Sequence, residues 1–376
     1  MPTMYDIYSS PLIKFSVKVN EGVLECEARG ILSPLAEKYA SILNGKRVIA
    51  MNKSEVYISS WIPPIPSKAF SRLVKCYVKG LMMRYVPEML TLCITEECPN
   101  RCVHCAIPTS GRGLKLSVKD ASSIISQALD LGTTMIAFDG GEPMTYEELP
   151  ELVRCVDDRA IATLFTSGYG ATHEWLKELK DAGLYSIHVS LDSPFKEEHD
   201  KMRGREGVFE EAREAIKNAL KVGLLCDIYV VLSRDNVQSL WEFYELAKKW
   251  GVHELSFYEL VPTGRYLTRL DKTLRAEDYK SIKEFVSESS EQEGPNVFSI
   301  VGEIETLGCF AGRKWLHVDV DGGVRPCACI PLSYGNAKSE SLKKIWKRIR
   351  RDPVYNARSC LMKNPSFRKE YLNLER

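Results

Sequence analysis

Six apolar, β-branched runs recur through the middle of the chain at roughly thirty-residue spacing, each followed by a turn and a helical pattern. They are "TLCITE" (91–96), "TMIAF" (134–138), "IATLFT" (161–166), "SIHVSL" (186–191), "CDIYVVL" (226–232) and "ELSFYEL" (254–260). The intervening helices have legible ends: Ser117 with Asp120 three residues later opens "ASSIISQALDLG", which closes at Gly132. Near-continuous apolar strands alternating with helices call for parallel strands buried on both faces. The fold class that satisfies this is α/β, a partial (β/α)6 TIM-like barrel over 90–290, with its chemistry at the C-terminal ends of the strands.

The chain is long enough for more than this barrel, with 376 residues of which 44% are hydrophobic. Residues 1–89 read as a small α+β domain: a hairpin, "IKFSVKVNEGVLECEAR", a helix, "PLAEKYASIL", and a second strand pair, "RVIAMNKSEVYISSW". Residues 291–376 form a third region. Lys plus Arg number 51 against 50 Asp plus Glu, a balance that argues against a nucleic-acid partner. The first residues lack a signal-peptide pattern and no run approaches a membrane span, so the expected compartment is the cytoplasm. Twelve cysteines in a reducing compartment point to metal binding or catalysis before disulfides.

Three of those cysteines sit in "CPNRCVHC" (98–105), directly after the first barrel strand. The C-x3-C-x2-C spacing leaves one metal position without a thiol. One reading is a zinc site completed by His104, which a tight loop places awkwardly between two ligands. The other is a 4Fe-4S cluster whose fourth iron is open to a ligand that is not protein. After the second strand comes "FDGGEPM", where glycines admit a ligand close to the backbone and Glu142 offers a carboxylate to an ammonium group. The third strand is followed by "TSGYG", the fourth by "SLDSPFKEEHDKMRG", and the sixth by "LVPTGR".

This ordered combination resembles the radical S-adenosylmethionine (radical SAM) superfamily over roughly residues 90–265. The resemblance implies that Cys98, Cys102 and Cys105 hold a 4Fe-4S cluster whose open iron chelates S-adenosylmethionine. Gly140, Gly141, Glu142 and Pro143 would line the methionine ammonium, and Ser190 and Asp192 would contact ribose or carboxylate. Arg203 matches a carboxylate partner, and Thr166 and Ser167 match the strand-three position near the same ligand. His104 departs from the family pattern, which has an aromatic residue before the third cysteine.

Beyond the barrel, Cys309 is followed by twelve residues, Gly322, four more and Cys327, with Asp321, Gly322 and Gly323 reading as a hairpin turn. This is similar to the SPASM and twitch domains, which bind auxiliary 4Fe-4S clusters. Only Cys329 and Cys360 lie further on, so one auxiliary cluster is implied, held by Cys309 and Cys327 with Cys329 and Cys360 as further candidates. A zinc knuckle is the competing reading. Cys26, Cys93, Cys155 and Cys226 lie in apolar patterns and read as small buried hydrophobes, and Cys76 falls in the helix before the barrel.

The substrate is read from the segment before the barrel. A helix expected over 67–85 places Lys68, Arg72, Lys75 and Lys79 on one side and Phe70, Leu73, Val74, Tyr77 and Leu81 on the other. A basic amphipathic helix of this kind suits the membrane surface. The preferred expectation is therefore a radical enzyme acting on a membrane-lipid hydrocarbon chain, as in some archaeal relatives, supplied by a low-potential electron donor and peripheral at the membrane. The alternatives are a peptide or protein side-chain modifying enzyme whose N-terminal domain binds a leader by strand addition, and a non-catalytic metal-binding protein. Tyr258 and Glu259, near the end of the sixth strand, stand as positional candidates for a proton or hydrogen-atom donor.

Overall fold

The computed structural model describes residues 4–31, 33–52, 54–107 and 111–374. The chain opens with an antiparallel sheet of β1 (Met4–Ser9), β2 (Lys14–Asn20) and β3 (Val23–Arg29). The expected hairpin is β2–β3, turning at Glu21 and Gly22, both at positive φ. Then follow α1 (Ser33–Leu43), the short antiparallel pair β4 (Ala50–Met51) and β5 (Val56–Tyr57), and α2 (Lys68–Leu81). Phe15, Val17 and Leu24 of the sheet pack on Phe70, Leu73 and Val74 of α2, giving this unit its own core.

The α2 helix starts where Ser67 Oγ accepts the Phe70 amide, as its sequence predicts. Its basic face is not the free surface expected. Lys68 pairs with Asp158 at 2.8 Å. The Arg72 guanidinium donates at 2.6 Å to the carbonyl of Leu129, in the last turn of α3 (Val118–Leu131), where a cation is favoured by the helix dipole. The helix thus lies between the N-terminal sheet and the barrel, and two of the four cations that pointed to a membrane are engaged within the protein.

The remaining strands form one nine-stranded sheet. Its parallel part comprises β6 (Met89–Thr95), β7 (Met135–Gly140), β8 (Ile161–Thr166), β9 (Leu184–Ser190), β10 (Leu225–Leu232), β11 (Glu254–Glu259) and β12 (Asn296–Ser299). Six of these match the runs read from the sequence. The hairpin β13 (Trp315–Val318) and β14 (Val324–Arg325) turns at Gly322, as expected. It does not stand apart from the barrel: β13 lies parallel to β6, Trp315 opposite Met89 and Val318 opposite Leu92.

The strands are less uniformly apolar than their reading suggested. Leu90, Leu92, Ile136, Phe138, Leu164, Ile187, Ile228, Val230 and Leu255 belong to the main hydrophobic core. The alternate residues Thr91, Thr163, His188, Asp227, Ser256 and His317 are equally buried but polar. A period of two places them on the opposite face of the sheet, inside the barrel. Polar groups so buried need partners, and the segment before α2 supplies several. The Trp61 ring stacks on His188 with centroids 3.9 Å apart, and its Nε1 donates to Ser256 Oγ at 2.8 Å and Asp227 Oδ2 at 3.2 Å. Ser59 and Ser60 donate to Glu254, and the Ser186 hydroxyl donates to the Ser60 carbonyl. The N-terminal unit therefore floors the barrel at the starts of its strands and leaves the other end for the site.

Candidate active site

At the C-terminal ends of the strands lies a cavity of about 520 Å³. Cys98, Cys102 and Cys105 line it, together with Gly140, Gly141, Glu142, Pro143, Thr166, Ser167, Ser190 and Arg203. Residues from four strand ends that the sequence separates by about a hundred positions thus share one wall, as a barrel site requires.

The cysteine loop is held by backbone bonds from three sides. Gly141 N donates to Thr95 O and Glu142 N to Glu97 O, both at 2.7 Å. Arg101 N donates to Arg203 O and Val103 N to Met202 O, both at 2.9 Å. From the loop after β11, Arg265 N donates to Cys105 O at 3.0 Å, and its guanidinium donates to Cys102 O at 2.8 Å. Two glycines make this approach possible. A Cβ on Gly141 would collide with the Glu97 carbonyl, and one on Gly264, whose φ is +52°, with the Cys105 carbonyl.

Glu142 is 1% exposed and its carboxylate is already occupied. Oε1 accepts from Thr166 Oγ1 at 2.7 Å, while Oε2 accepts from the Ser167 amide at 2.8 Å and Ser167 Oγ at 2.6 Å. Burial raises its pKa even against those hydrogen bonds. The side chain fixes the β7 loop to the end of β8, so the carboxylate that was expected to meet an ammonium group already accepts these three bonds while Glu142 lines the cavity. Asp192, also anticipated as a ligand contact, is fully buried and does not line the cavity. It pairs with Arg203 Nε at 2.7 Å and approaches His104 Nε2 at 3.4 Å. Burial alone would raise its pKa, but Arg203, His104 and His199 together hold it below the usual carboxylate range. Arg203 is thereby aimed back at the thiol loop, its Nη1 3.7 Å from Cys102 Sγ. His104 is pushed toward its neutral form by burial.

The second set of thiols lies behind the first. Cys309 N donates to the Ala357 carbonyl at 3.0 Å, drawing together the chain around Cys309 and Cys360. Burial raises the pKa of both, and Cys327 raises each of them further. Cys329 alone of the four lines the central cavity. Tyr258 points into the barrel interior, 4.7 Å from the Tyr229 ring and 5.3 Å from the Trp61 ring, whereas Glu259 lines the cavity and binds Lys363 Nζ at 2.5 Å. Sequence reasoning missed Asp139 and Tyr229, which also line the cavity. Asp139 directly precedes the two glycines, a position from which it was available.

The donor chemistry fits an iron-sulfur group. Three thiols share one cavity wall, and burial pushes Cys98 up to about 11 and Cys105 upward, so their conversion to thiolates needs a bound cation. His104, the expected fourth ligand of a zinc set, is turned toward Asp192. Fold and site together define a partial barrel with a three-cysteine loop at the C-terminal ends of its strands.

Comparison with known proteins makes the definition narrower. Residues 92–247 match the model of the radical SAM superfamily, and residues 309–370 match SPASM, an iron-sulfur cluster-binding domain. The chain thus carries a radical SAM domain followed by a SPASM domain. Its cofactors are accordingly a 4Fe-4S cluster, S-adenosylmethionine and auxiliary iron-sulfur. Among similar sequences, an AdoMet-dependent heme synthase of Methanosarcina barkeri is 28% identical over 73% of this chain and 87% of its own length. A PqqA peptide cyclase of Rhizobium meliloti is 27% identical over 76% and 82%. Among solved structures, Streptococcus suis SuiB bound to its precursor peptide SuiA aligns over 95% of this chain and 90% of its own, with a TM-score of 0.62 and 17% identity.

Proposed function

We propose that this radical SAM enzyme modifies a side chain of a peptide or protein, with Cys98, Cys102 and Cys105 holding the cluster and Gly140 to Pro143, Thr166, Ser167, Ser190 and Arg203 receiving S-adenosylmethionine. Cys309, Cys327 and Cys360 are assigned to the auxiliary cluster, with Cys329 between it and the cavity. When bound, the cluster and S-adenosylmethionine supply a 5'-deoxyadenosyl radical that abstracts hydrogen from an unactivated carbon, given a low-potential electron donor. The protein's own task is to admit one carbon and exclude water.

The observation that carries the peptide reading is the form of the N-terminal unit. Among the described residues, β1 pairs only with β2, leaving an open strand edge suited to an added peptide strand. A cavity of about 520 Å³ that also receives the cofactor suits a single side chain. The likeness to SuiB with its bound peptide, which extends through the N-terminal unit, and to the peptide cyclase supports the same reading. The expectation of a lipid substrate leaned on a free basic helix face, and two of the four cations of α2 are bonded within the protein. A tetrapyrrole is the second reading, favoured by the heme synthase relatives.

The test is anaerobic reconstitution followed by incubation with S-adenosylmethionine, dithionite and, separately, synthetic peptides, an iron porphyrin and archaeal lipid extract. The proposal expects 5'-deoxyadenosine together with a mass change in a peptide. A change only in the porphyrin or only in lipid refutes it. About eight irons per chain, falling to about four when Cys98, Cys102 and Cys105 are all replaced by alanine, is the accompanying expectation.

A further inference from the structure

Asp139 is the acidic side chain that closes β7, and it faces the central cavity one residue before the Gly140–Gly141 turn. Its Oδ2 lies 3.8 Å from His317 Nδ1, and its buried Oδ1 has no hydrogen-bond partner among the described residues. His317 comes from β13, so the SPASM hairpin delivers it into the barrel. The ring is fully buried. Thr91 Oγ1 stands 2.7 Å from Nδ1, and Asp319 Oδ1 stands 3.3 Å from Nε2. Asp319 in turn pairs with Arg325 at 2.5 Å, and both line a second cavity of about 190 Å³. An imidazole thus stands between two carboxylates, one lining each cavity.

We propose that Asp139 is the proton acceptor of the reaction and that His317 and Asp319 carry that proton away from the chamber. This rests on the radical reading above. In the step proposed, a substrate X–H group, with X oxygen, nitrogen or sulfur, loses its proton to a carboxylate oxygen of Asp139. The X–H bond breaks, its electron pair stays on X, and an O–H bond forms on Asp139. Transfer to His317 Nδ1 and release from Nε2 to Asp319 restores Asp139 as a carboxylate.

The surroundings suit that task. Burial raises the pKa of Asp139 to about 6, with Asp319 adding to the rise and His317 opposing it. That poises the carboxylate for proton transfer near neutral pH. The titratable groups on the elements packed around it are Cys93 of β6, His317 of β13, Asp319 beyond it and Arg325 of β14. Cys93 is neutral at such pH because burial raises it far above its ordinary value. Arg325 is committed to Asp319.

The closing experiment uses reconstituted enzyme. Infrared difference spectra across pH should show a buried carboxyl titrating with a midpoint of about 6. The band should vanish in Asp139→Asn, and its midpoint should rise in His317→Gln, because His317 opposes the burial-driven rise of Asp139. With synthetic peptides as the probe, Asp139→Asn should lower product formation by about 10²-fold or more. The acid limb of the wild-type pH profile should move upward in His317→Gln, which a merely structural role would not produce. A band that survives Asp139→Asn, or a midpoint indifferent to His317→Gln, overturns the proposal. Wild-type enzyme that makes no 5'-deoxyadenosine overturns the radical reading instead, and the infrared titration then still decides whether Asp139 and His317 are coupled.

Discussion

Replacing Glu254 by glutamine should remove a pH dependence of stability that runs opposite to that of an ordinary carboxylate. Glu254 opens β11, is 3% exposed, and accepts bonds from Ser60 N at 2.8 Å, Ser60 Oγ at 2.6 Å and Ser59 Oγ at 2.9 Å. Burial, reinforced by Asp227, raises its pKa from 4.5 to about 7 despite those donors. A group whose folded pKa is raised binds its proton more tightly in the native state than in the unfolded one. Stability is therefore greatest while it stays protonated and falls as pH rises from the unfolded value through the folded one. The gap of about 2.5, at about 1.4 kcal/mol per pH unit, amounts to about 3 kcal/mol lost by alkaline pH. The assay is anaerobic urea unfolding of wild type and Glu254→Gln at about pH 5 and about pH 8. Other carboxylates titrate in both proteins and cancel in the double difference. The wild type should lose about 2.5 kcal/mol more than the variant between the two pH values, slightly less than the full amount because the unfolded chain is already partly ionised at about pH 5. Parallel losses in the two proteins would instead mean that Ser59 and Ser60 keep Glu254 ionised throughout.

Arg72→Ala should cost about 1 kcal/mol in urea, the bond to the Leu129 carbonyl being lost, while leaving co-sedimentation with anionic vesicles unchanged. Gly141→Ala should deplete iron from the first cluster, because the new methyl group displaces the Glu97 carbonyl and with it the cysteine loop; iron analysis should fall by about four per chain. Asp192→Asn leaves the Arg203 guanidinium buried without its counter-charge and should destabilise by about 3–5 kcal/mol, read by urea titration.

The chemistry of the site was legible because its carriers are contiguous. Three cysteines in one loop and Gly140 to Pro143 in one turn each declare themselves within a few residues, and each follows a strand whose position was also readable. "IATLFT" became β8 residue for residue. What escaped notice was set by pairing across distance. Nothing in "WLHVDV" says that it will lie beside Met89–Leu92, yet that register puts His317 next to Asp139. Ser190 and Asp192 are two residues apart and read alike, but the cavity takes the first while Arg203 and His104 surround the second. The helix α2 shows the converse: its amphipathic pattern was correct, and the partner of its polar face was another part of the same chain. A helical wheel gives the face and is silent on what covers it.

The polar barrel interior explains why the N-terminal unit is joined to the barrel as it is. "SIHVSL", "CDIYVVL" and "ELSFYEL" each carry His188, Asp227 or Glu254 at an inward position, where an apolar plug would leave them without partners. Burial drives His188 down to about 3 and Asp227 upward, so both are pressed toward neutral forms across a contact of 2.9 Å. The indole of Trp61 meets this pair with a flat apolar face for the imidazole and one N–H for the acid. The ring contacts continue from His188 to a tilted Phe165 at 5.0 Å and from Phe165 edge-on to Tyr229 at 5.2 Å, and Phe165 and Tyr229 line the cavity. A shift of the N-terminal unit on binding a peptide at β1 would therefore move the floor on which the reaction chamber rests, because Ser59, Ser60 and Trp61 are bonded to β9, β10 and β11 at once.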